Sequence, residues 1–257
     1  MPDRMNKGLI HGLSPSRWSE DVLGIVPDPW QENVLDGSHK RMILNCARQT
    51  GKSTVTGILA LHTAVFRAPA SVVIISPSQT QSSESLKKVK LFLALMSDKP
   101  GITKDNESRL EFANGSRIIA LPGSTVTSRG FSAVDLLIID EASRVLDDIY
   151  FGVRPLVAVS NGRIIILSTP FGKRGFFWQA WTDGGDGWER VMIPASDCPR
   201  ITAEFLAEEK KSMGDWFYNQ EYLCSFMEAE DNVFGYDLVM SAIDSDVKPL
   251  FEVSDYE

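Results

Sequence analysis

The chain of 257 residues has few of the residues that build disulfide frameworks or zinc sites. Its three cysteines stand far apart, and its three histidines form no cluster in the sequence. An odd cysteine count without a C-x-x-C pair argues against both kinds of site and indicates a reducing, intracellular setting. The net charge of −8 argues against a protein that grips nucleic acid with its whole surface, although local basic loops remain compatible with it.

The sequence also lacks a long apolar run. No stretch has the length of a membrane-spanning helix, and the N-terminus has no apolar core of the kind found in signal peptides. Hydrophobic residues make up 43% and charged residues 23% of the chain, which is typical of soluble globular proteins. We therefore expect a soluble, cytosolic protein with no membrane partner. Its length suits one large domain, or a domain with a small appendage.

The stretch RMILNCARQTGKST, residues 41–54, predicts a strand, a tight loop and the start of a helix. In this context Gly51-Lys52-Ser53 indicates a phosphate-binding loop. Unpaired N–H groups and the helix dipole favour an anion at such a helix start. Gly51 lets the backbone close around a phosphate, Lys52 supplies a positive charge, and Ser53 offers a hydroxyl to Mg²⁺.

The motif departs from the usual pattern at one position. A glycine is expected five residues before Gly51, and Cys46 stands there. The alternative interpretation is an ordinary helix start capped by Thr50, so the remainder of the chain has to decide between them.

Four unbroken apolar runs predict buried strands of a parallel sheet covered by helices on both faces. They lie at residues 42–44, 71–76, 136–139 and 163–167. Residues 108–121 predict a β-hairpin that turns at Asn114-Gly115. Ligands of parallel sheets bind at the carboxyl ends of the strands. Three polar groups follow such strands: Gly51-Lys52-Ser53, Asp140-Glu141 and Ser168-Thr169. We expect these groups to meet at one sheet edge.

The residue types at these strand ends suit hydrolysis of a nucleoside triphosphate. Asp140 is placed to bind Mg²⁺, and Glu141 to polarise the attacking water. The alternative for this pair is a capping aspartate and a solvated glutamate at a helix start. Ser168 and Thr169 either sense the γ-phosphate or form a turn before Pro170.

A second helix start precedes the phosphate-binding loop. Asp28 is a good N-cap, Pro29 fits the first helical position, and Gln31 completes a capping box. The functional alternative is that Gln31 contacts an adenine ring, because an amide can donate and accept at once.

Several motifs in order resemble the ATPase domain of tailed-phage large terminases. They are CARQTGKS at 46–53, SRGFSAVDLLIIDEA at 128–142, LSTP at 167–170, the NGS turn and FYNQEY at 217–222. The likeness runs from about Trp30 to Phe234. The family tolerates the missing first glycine and often has an arginine where Arg48 stands.

The resemblance implies a RecA-like (ASCE) P-loop NTPase of three layers that uses ATP and Mg²⁺. It assigns catalysis to Glu141, Arg129 and Lys52, and metal binding to Ser53 and Asp140. Arg129 matches the position of an arginine finger that one subunit lends to its neighbour. The implied nucleotide-binding residues are Gln31, Arg48, Gln49, Thr50, Gly51, Lys52, Ser53, Thr54, Ser168 and Thr169.

The resemblance further implies a motor that drives double-stranded viral DNA into a procapsid in the host cytoplasm. Its partners would be the portal protein, the small terminase subunit and further copies of the chain in a ring, with a monomer in isolation. We expect an ATPase core at 1–175, a small lid subdomain at 176–228 and an acidic linker or tail at 229–257. Within that tail Asp244, Asp246 and Asp255 follow no apolar strand, so no nuclease activity is predicted.

Two alternatives stay open from the sequence. One is a helicase-like or restriction-type DNA translocase, which normally needs a second RecA-like lobe. The other is a module that binds a nucleotide for assembly without hydrolysing it, and in such a module Glu141 has no catalytic task.

Overall fold

The computed structural model describes residues 2–125 and 133–228, together with residues 238, 241 and 242. Helices and strands alternate through most of these ranges. The helices are α1 (Pro2–Leu13), α2 (Pro15–Leu23), α3 (Pro29–Asp36), α4 (Lys52–Phe66), α5 (Gln79–Leu95), α6 (Asp147–Val153), α7 (Gly175–Thr182) and α8 (Ala203–Glu221). The strands are β1 (Arg41–Cys46), β2 (Ser71–Ser76), β3 (Ile102–Asp105), β4 (Arg109–Phe112), β5 (Arg117–Pro122), β6 (Leu136–Asp140), β7 (Arg163–Ser168) and β8 (Glu189–Ile193).

All eight strands form one sheet in the order β3-β4-β5-β2-β6-β7-β1-β8. The pairs from β5 to β8 are parallel, whereas β3, β4 and β5 pair in an antiparallel manner. Strand β7 lies between β1 and β6, so the carboxyl ends of these three strands are neighbours. This order places the three polar groups predicted from the sequence at one edge.

Helices cover both faces of the sheet, because side chains of the central strands alternate between two apolar clusters. Met42 and Leu44 of β1 pack with α2 to α5, whereas Ile43 packs on the other side with α6 and α7. Strands β2 and β6 are buried along their whole length. Burial on both faces explains the unbroken apolar runs, and the predicted three-layer α/β fold is confirmed.

Two edge strands were missed by the sequence patterns. Strand β3 is exposed at all four residues, and β8 buries only Ile193. Each is held by backbone pairing to one neighbour, β4 for the first and β1 for the second. The predicted hairpin is confirmed as β4 and β5, with Gly115 at φ 84° in its turn.

The segment predicted as a lid contains elements of the main sheet. Helix α7 begins at Gly175, where the predicted boundary falls, and packs in the core beneath the sheet. Strand β8 extends the sheet beside β1. Helix α8 lies outside the sheet and is interrupted at Gly214, whose φ of 78° separates two helical segments. The division into core, lid and tail stays a prediction, and Asp244, Asp246 and Asp255 lie outside the described residues.

Candidate nucleotide-binding site

The loop of residues 47–51, which we call the phosphate loop, connects β1 to α4. Gly51 has φ 99°, a conformation that favours glycine. A Cβ atom at this position would lie 2.6 Å from Gln31 Nε2, so the end of the Gln31 side chain would have to move. Helix α4 begins at Lys52, and the N–H groups of Lys52 and Ser53 therefore have no acceptor within the helix. No side chain caps this helix, so the alternative of a helix start capped by Thr50 is wrong.

Lys52 is buried, and its ammonium group contacts only neutral oxygens among the described residues. Nζ donates to the carbonyl oxygen of Ala47 at 3.2 Å and to Thr169 Oγ1 at 3.0 Å. An ammonium held by neutral acceptors can move to a phosphate without losing an ion pair. This geometry suits the role of a phosphate-binding lysine.

The carboxylates of Asp140 and Glu141 follow β6 directly. Asp140 is buried, and burial together with the negative charge of Glu141 raises the pKa of Asp140 to about 6. Its oxygens accept from the Glu141 N–H at 3.0 Å and from Ser85 Oγ at 3.3 Å. Glu141 has φ 50°, a left-handed conformation that is uncommon for a residue other than glycine.

Ser168 and Thr169 at the end of β7 connect the two halves of the site. Ser168 Oγ lies 2.7 Å from Ser143 Oγ and donates to Glu141 Oε2 across 3.5 Å. Ser143 Oγ in turn donates to the Thr169 carbonyl oxygen at 2.8 Å. Thus Thr169 holds Lys52, while Ser168 lies against the carboxylate of Glu141. The two residues do more than form a turn before Pro170.

A cavity of about 410 Å³ brings most of the predicted residues together. Its walls include the phosphate loop on one side and Glu141 on the other. The predicted residues that line it are Arg48, Gln49, Thr50, Gly51, Lys52, Ser53, Glu141 and Thr169. A neighbouring cavity of about 350 Å³ is lined by Ser53, Asp140 and Glu141, among others.

Two predicted residues connect the phosphate loop to its surroundings. Gln31 contacts the loop from outside the cavity, and Arg48 of the loop itself pairs with α8. Gln31 Oε1 accepts from the Asp28 N–H at 2.9 Å, as the capping box requires, and its amide nitrogen faces Gly51. Arg48 forms an ion pair with Glu221 of α8. In addition, the Arg48 N–H donates to the Glu221 carbonyl oxygen at 3.1 Å. Helix α8 is therefore fastened to the phosphate loop.

Other predicted residues lie elsewhere. Thr54 belongs to the first turn of α4 and does not line the cavity of about 410 Å³. Arg129 lies outside the described residues.

Five further residues line this cavity and were not predicted as site residues: Gln81, Lys88, Arg144, Pro170 and Glu221. Lys88 had the pattern of a solvated lysine on the outer face of α5, and only the packing of α5 against α4 turns it toward the cavity. Arg144 lies with its guanidinium carbon 4.0 Å from the centre of the Phe171 ring. In a single sequence, a lone Arg or Lys in a helical stretch gives no indication that it lines a cavity.

The residues at the sheet edge fit a magnesium ion that arrives with a nucleotide. Among the described residues no group of three or more His, Cys, Asp or Glu side chains could hold a metal on its own. Mg²⁺ usually binds one or two protein oxygens together with substrate phosphates, and Ser53 and Asp140 offer a hydroxyl and a carboxylate beside the same cavity. The oxygen donors of Ser53 and Asp140 therefore match the ligands that Mg²⁺ prefers.

The described part of the chain has no helix with the length and apolarity needed to span a bilayer.

Comparisons with known proteins identify relatives of this chain. Curated large terminase subunits of Escherichia phage T5 and Thermus phage G20c are 22% and 23% identical, over 79% and 89% of this chain. The chain spans about half the length of these relatives, 48% and 54%.

Solved structures show the same fold. The large terminase ATPase domain of Thermus phage P74-26 superposes with a TM-score of 0.72 at 20% identity, over 84% of this chain and all of that one. The large terminase of a thermophilic bacteriophage in complex with ATP-gamma-S gives 0.64 at 11% identity, over 78% of this chain and 53% of that one.

The family model described as the N-terminal part of the large terminase subunit, T4-like virus type, matches residues 43–239. This match covers the phosphate loop, both carboxylates and α8. The chain therefore belongs to the large terminase family of bacteriophages, within its N-terminal ATPase region.

Proposed function

We propose that this chain hydrolyses ATP with Mg²⁺ as the motor domain of a DNA-packaging terminase. The observation that carries the proposal is the meeting of Lys52, Glu141 and Thr169 in one cavity beside Asp140. Two structural relatives support it, since one is a large terminase ATPase domain and another is a large terminase in complex with ATP-gamma-S.

In the proposed reaction, water attacks the γ-phosphorus, and the bond between this phosphorus and the bridging oxygen of ADP breaks. Glu141 accepts the proton of the attacking water, and Ser168 keeps the carboxylate oriented through the contact at 3.5 Å. Lys52 leaves Ala47 and Thr169 to neutralise the β- and γ-phosphates. When bound, Mg²⁺ would neutralise phosphate charge, and Ser53 and Asp140 would hold it.

The proposal extends to the biological assembly. ATP hydrolysis would drive double-stranded viral DNA into a procapsid in the host cytoplasm. The portal protein, the small terminase subunit and further copies in a ring would be the partners. We assign the trans arginine finger to Arg129. Since a finger from a neighbour is absent in a monomer, the isolated chain should hydrolyse ATP slowly, and Arg129→Ala should have little effect until a ring forms.

The decisive experiment separates binding from hydrolysis. Glu141→Gln should retain binding of MgATP and reduce turnover at least a hundredfold, because general-base catalysis contributes about 10²- to 10⁴-fold. Glu204→Gln, at an exposed position of α8, is the matched control and should match the wild type. Unchanged turnover in Glu141→Gln would show that another group activates the water. Absence of any turnover in the wild-type ring with DNA would favour a nucleotide-binding module without hydrolysis.

A further inference from the structure

Arg200 makes an unusual set of contacts near the nucleotide-binding site. It lies between β8 and α8, two residues before Thr202, which caps α8. Its Nη1 and Nη2 donate to the two carboxylate oxygens of Asp28, each at 2.8 Å. Nη2 also donates to the carbonyl oxygen of Thr50 in the phosphate loop at 3.2 Å. One guanidinium therefore joins the start of α3, the phosphate loop and the approach to α8.

The bond pattern fixes the plane of this guanidinium. Two parallel bonds to a carboxylate define the orientation of an arginine more strictly than one bond does. The side chain of Asp28 is only 11% exposed, so it is a rigid anchor. Asp28 stands at the N-cap position of α3, and both of its carboxylate oxygens bind Arg200. A simple surface ion pair would not need the third bond to Thr50.

Much of the Arg200 side chain remains accessible to solvent. The side chain of Arg200 is 54% exposed. Its Nη2 and the amide nitrogen of Gln31 both border Gly51, at 3.5 and 2.6 Å from the point where a Cβ atom would stand. Neither residue lines the cavity that the phosphate loop encloses. Gly51 lines that cavity, so a nucleoside that extends from the phosphates on the Gly51 side would meet these two residues.

We propose that Arg200 is a nucleotide-binding residue that stacks on the base of the bound nucleotide and thereby distinguishes nucleotides from bare polyphosphate. The planar, weakly hydrated guanidinium stacks on aromatic rings, and every base offers such a face. Gln31 would then contact the edge of the base, and Asp28 would hold Arg200 in position. Arg200 lies just before α8, and Glu221 of α8 pairs with Arg48 of the phosphate loop. Binding of a base to Arg200 would therefore also affect the position of α8. This inference rests on the proposed nucleotide site.

The test compares ligands that share the triphosphate and differ in the base. Binding of MgATP, MgGTP and magnesium tripolyphosphate is measured by isothermal titration calorimetry with the wild type and with Arg200→Ala. We expect Arg200→Ala to weaken ATP and GTP about tenfold, as stacking contributions predict, and to change tripolyphosphate binding less than about twofold. Arg200→Lys retains the charge without the plane and should lose most of the same contribution.

Two variants keep the outcomes distinct. Arg17→Ala removes an exposed arginine of α2 that pairs with Glu20 at 3.8 Å, and it should bind every ligand as the wild type does. Lys52→Ala should lose tripolyphosphate as well as ATP. An equal loss of ATP and tripolyphosphate in Arg200→Ala, or no loss of either, would overturn the stacking role. If the wild type binds none of the three ligands, the nucleotide site itself is wrong.

Discussion

Lys52 Nζ donates a hydrogen bond to Thr169 Oγ1 at 3.0 Å, between residues 117 positions apart in the chain. This bond joins the phosphate loop to the end of β7, beside the strand that carries the two carboxylates. It gives the buried ammonium a neutral partner while no phosphate is present. The link explains why a threonine after β7 belongs to the site even though it follows a different strand from the lysine.

Thr169→Val should destabilise the nucleotide-free protein. The substitution keeps the shape of the side chain and places a methyl group against a buried ammonium. Losing a hydrogen bond to a charged group costs about 1.5–3 kcal/mol. Urea unfolding should show this loss, and saturating MgATP should reduce it because the phosphates then bind Lys52.

Thr169→Ser is the matched control for this prediction, since it retains the hydroxyl and should stay close to the wild type. An equal loss in the serine variant would show that packing of the threonine methyl group, rather than the bond to Lys52, is responsible.

Glu221→Gln should strengthen binding of MgATP. Arg48 is paired with Glu221, so a phosphate has to compete with this carboxylate for the guanidinium. The side chain of Arg48 is 59% exposed, and such pairs contribute about 0.2–1 kcal/mol after screening by solvent. We therefore expect a gain of up to about fivefold in affinity, measured by calorimetry.

Glu208→Gln tests whether the effect belongs to the ion pair, because Glu208 is an exposed residue of the same helix. It should leave the affinity unchanged. In the double variant Arg48→Gln, Glu221→Gln, the second change should bring no gain. A gain that persists without Arg48 would assign the effect to the net charge of α8.

Much of this site was predictable because local physics determines it. The strands β1, β2, β6 and β7 are buried on both faces, and their apolar runs indicate this. Parallel strands direct their carboxyl ends to one edge, so the residues after them had to meet. The phosphate loop at Gly51 was predictable because a strand, a glycine, a lysine and a helix follow one another along the sequence.

The remainder depends on contacts between distant segments. Asp28 has the residue type of a helix cap, and its carboxylate also binds Arg200, 172 positions away. Glu221 and Lys88 reach the cavity only because their helices pack beside the phosphate loop. Strands β3 and β8 are stabilised by backbone pairing at the sheet edges, which leaves little apolar pattern. A single sequence contains no local signal for such contacts.

His62 should make the protein less stable in acid. Its ring packs against Trp18 and Phe66, and its Nε2 lies 2.7 Å from the His11 carbonyl oxygen. Burial lowers the pKa of His62 from its ordinary value of 6.5. The unfolded chain therefore binds a proton more readily than the folded one, and stability is lost as the pH falls below about 6.5.

The contribution of His62 is measured by thermal unfolding of the wild type and of His62→Gln between about pH 7.5 and 5.5, a window that brackets its ordinary pKa. Glutamine keeps a donor for the His11 carbonyl and cannot titrate, so the difference between the two proteins should shift in favour of the variant as the pH falls. A constant difference for His62→Gln across this range would mean that the ring does not titrate upon unfolding.

Asp140→Asn should stabilise the protein without nucleotide or Mg²⁺. The raised pKa of about 6 in the folded state means that the buried carboxyl resists ionisation. Its favourable contribution is complete below the ordinary value of 3.8 and is lost as the pH rises through about 6. In EDTA at about pH 7.5 the variant should be up to about 3 kcal/mol more stable than the wild type, since one pKa unit corresponds to about 1.4 kcal/mol. The difference should vanish near the ordinary pKa of 3.8.

The same substitution should remove the effect of Mg²⁺ on ATP binding. In the wild type, a cation that binds beside the ionised, buried carboxylate compensates its charge. Asp140→Asn should bind ATP equally with and without Mg²⁺, whereas the wild type should bind MgATP more tightly, and more so above a pH of about 6 than below it. Asp135→Asn, at the opposite end of β6, is the control and should preserve this Mg²⁺ dependence. If Asp140→Asn is stabilised and still binds ATP more tightly with Mg²⁺, the gain in stability is independent of cation binding. Glu141, rather than Asp140, would then contact the cation.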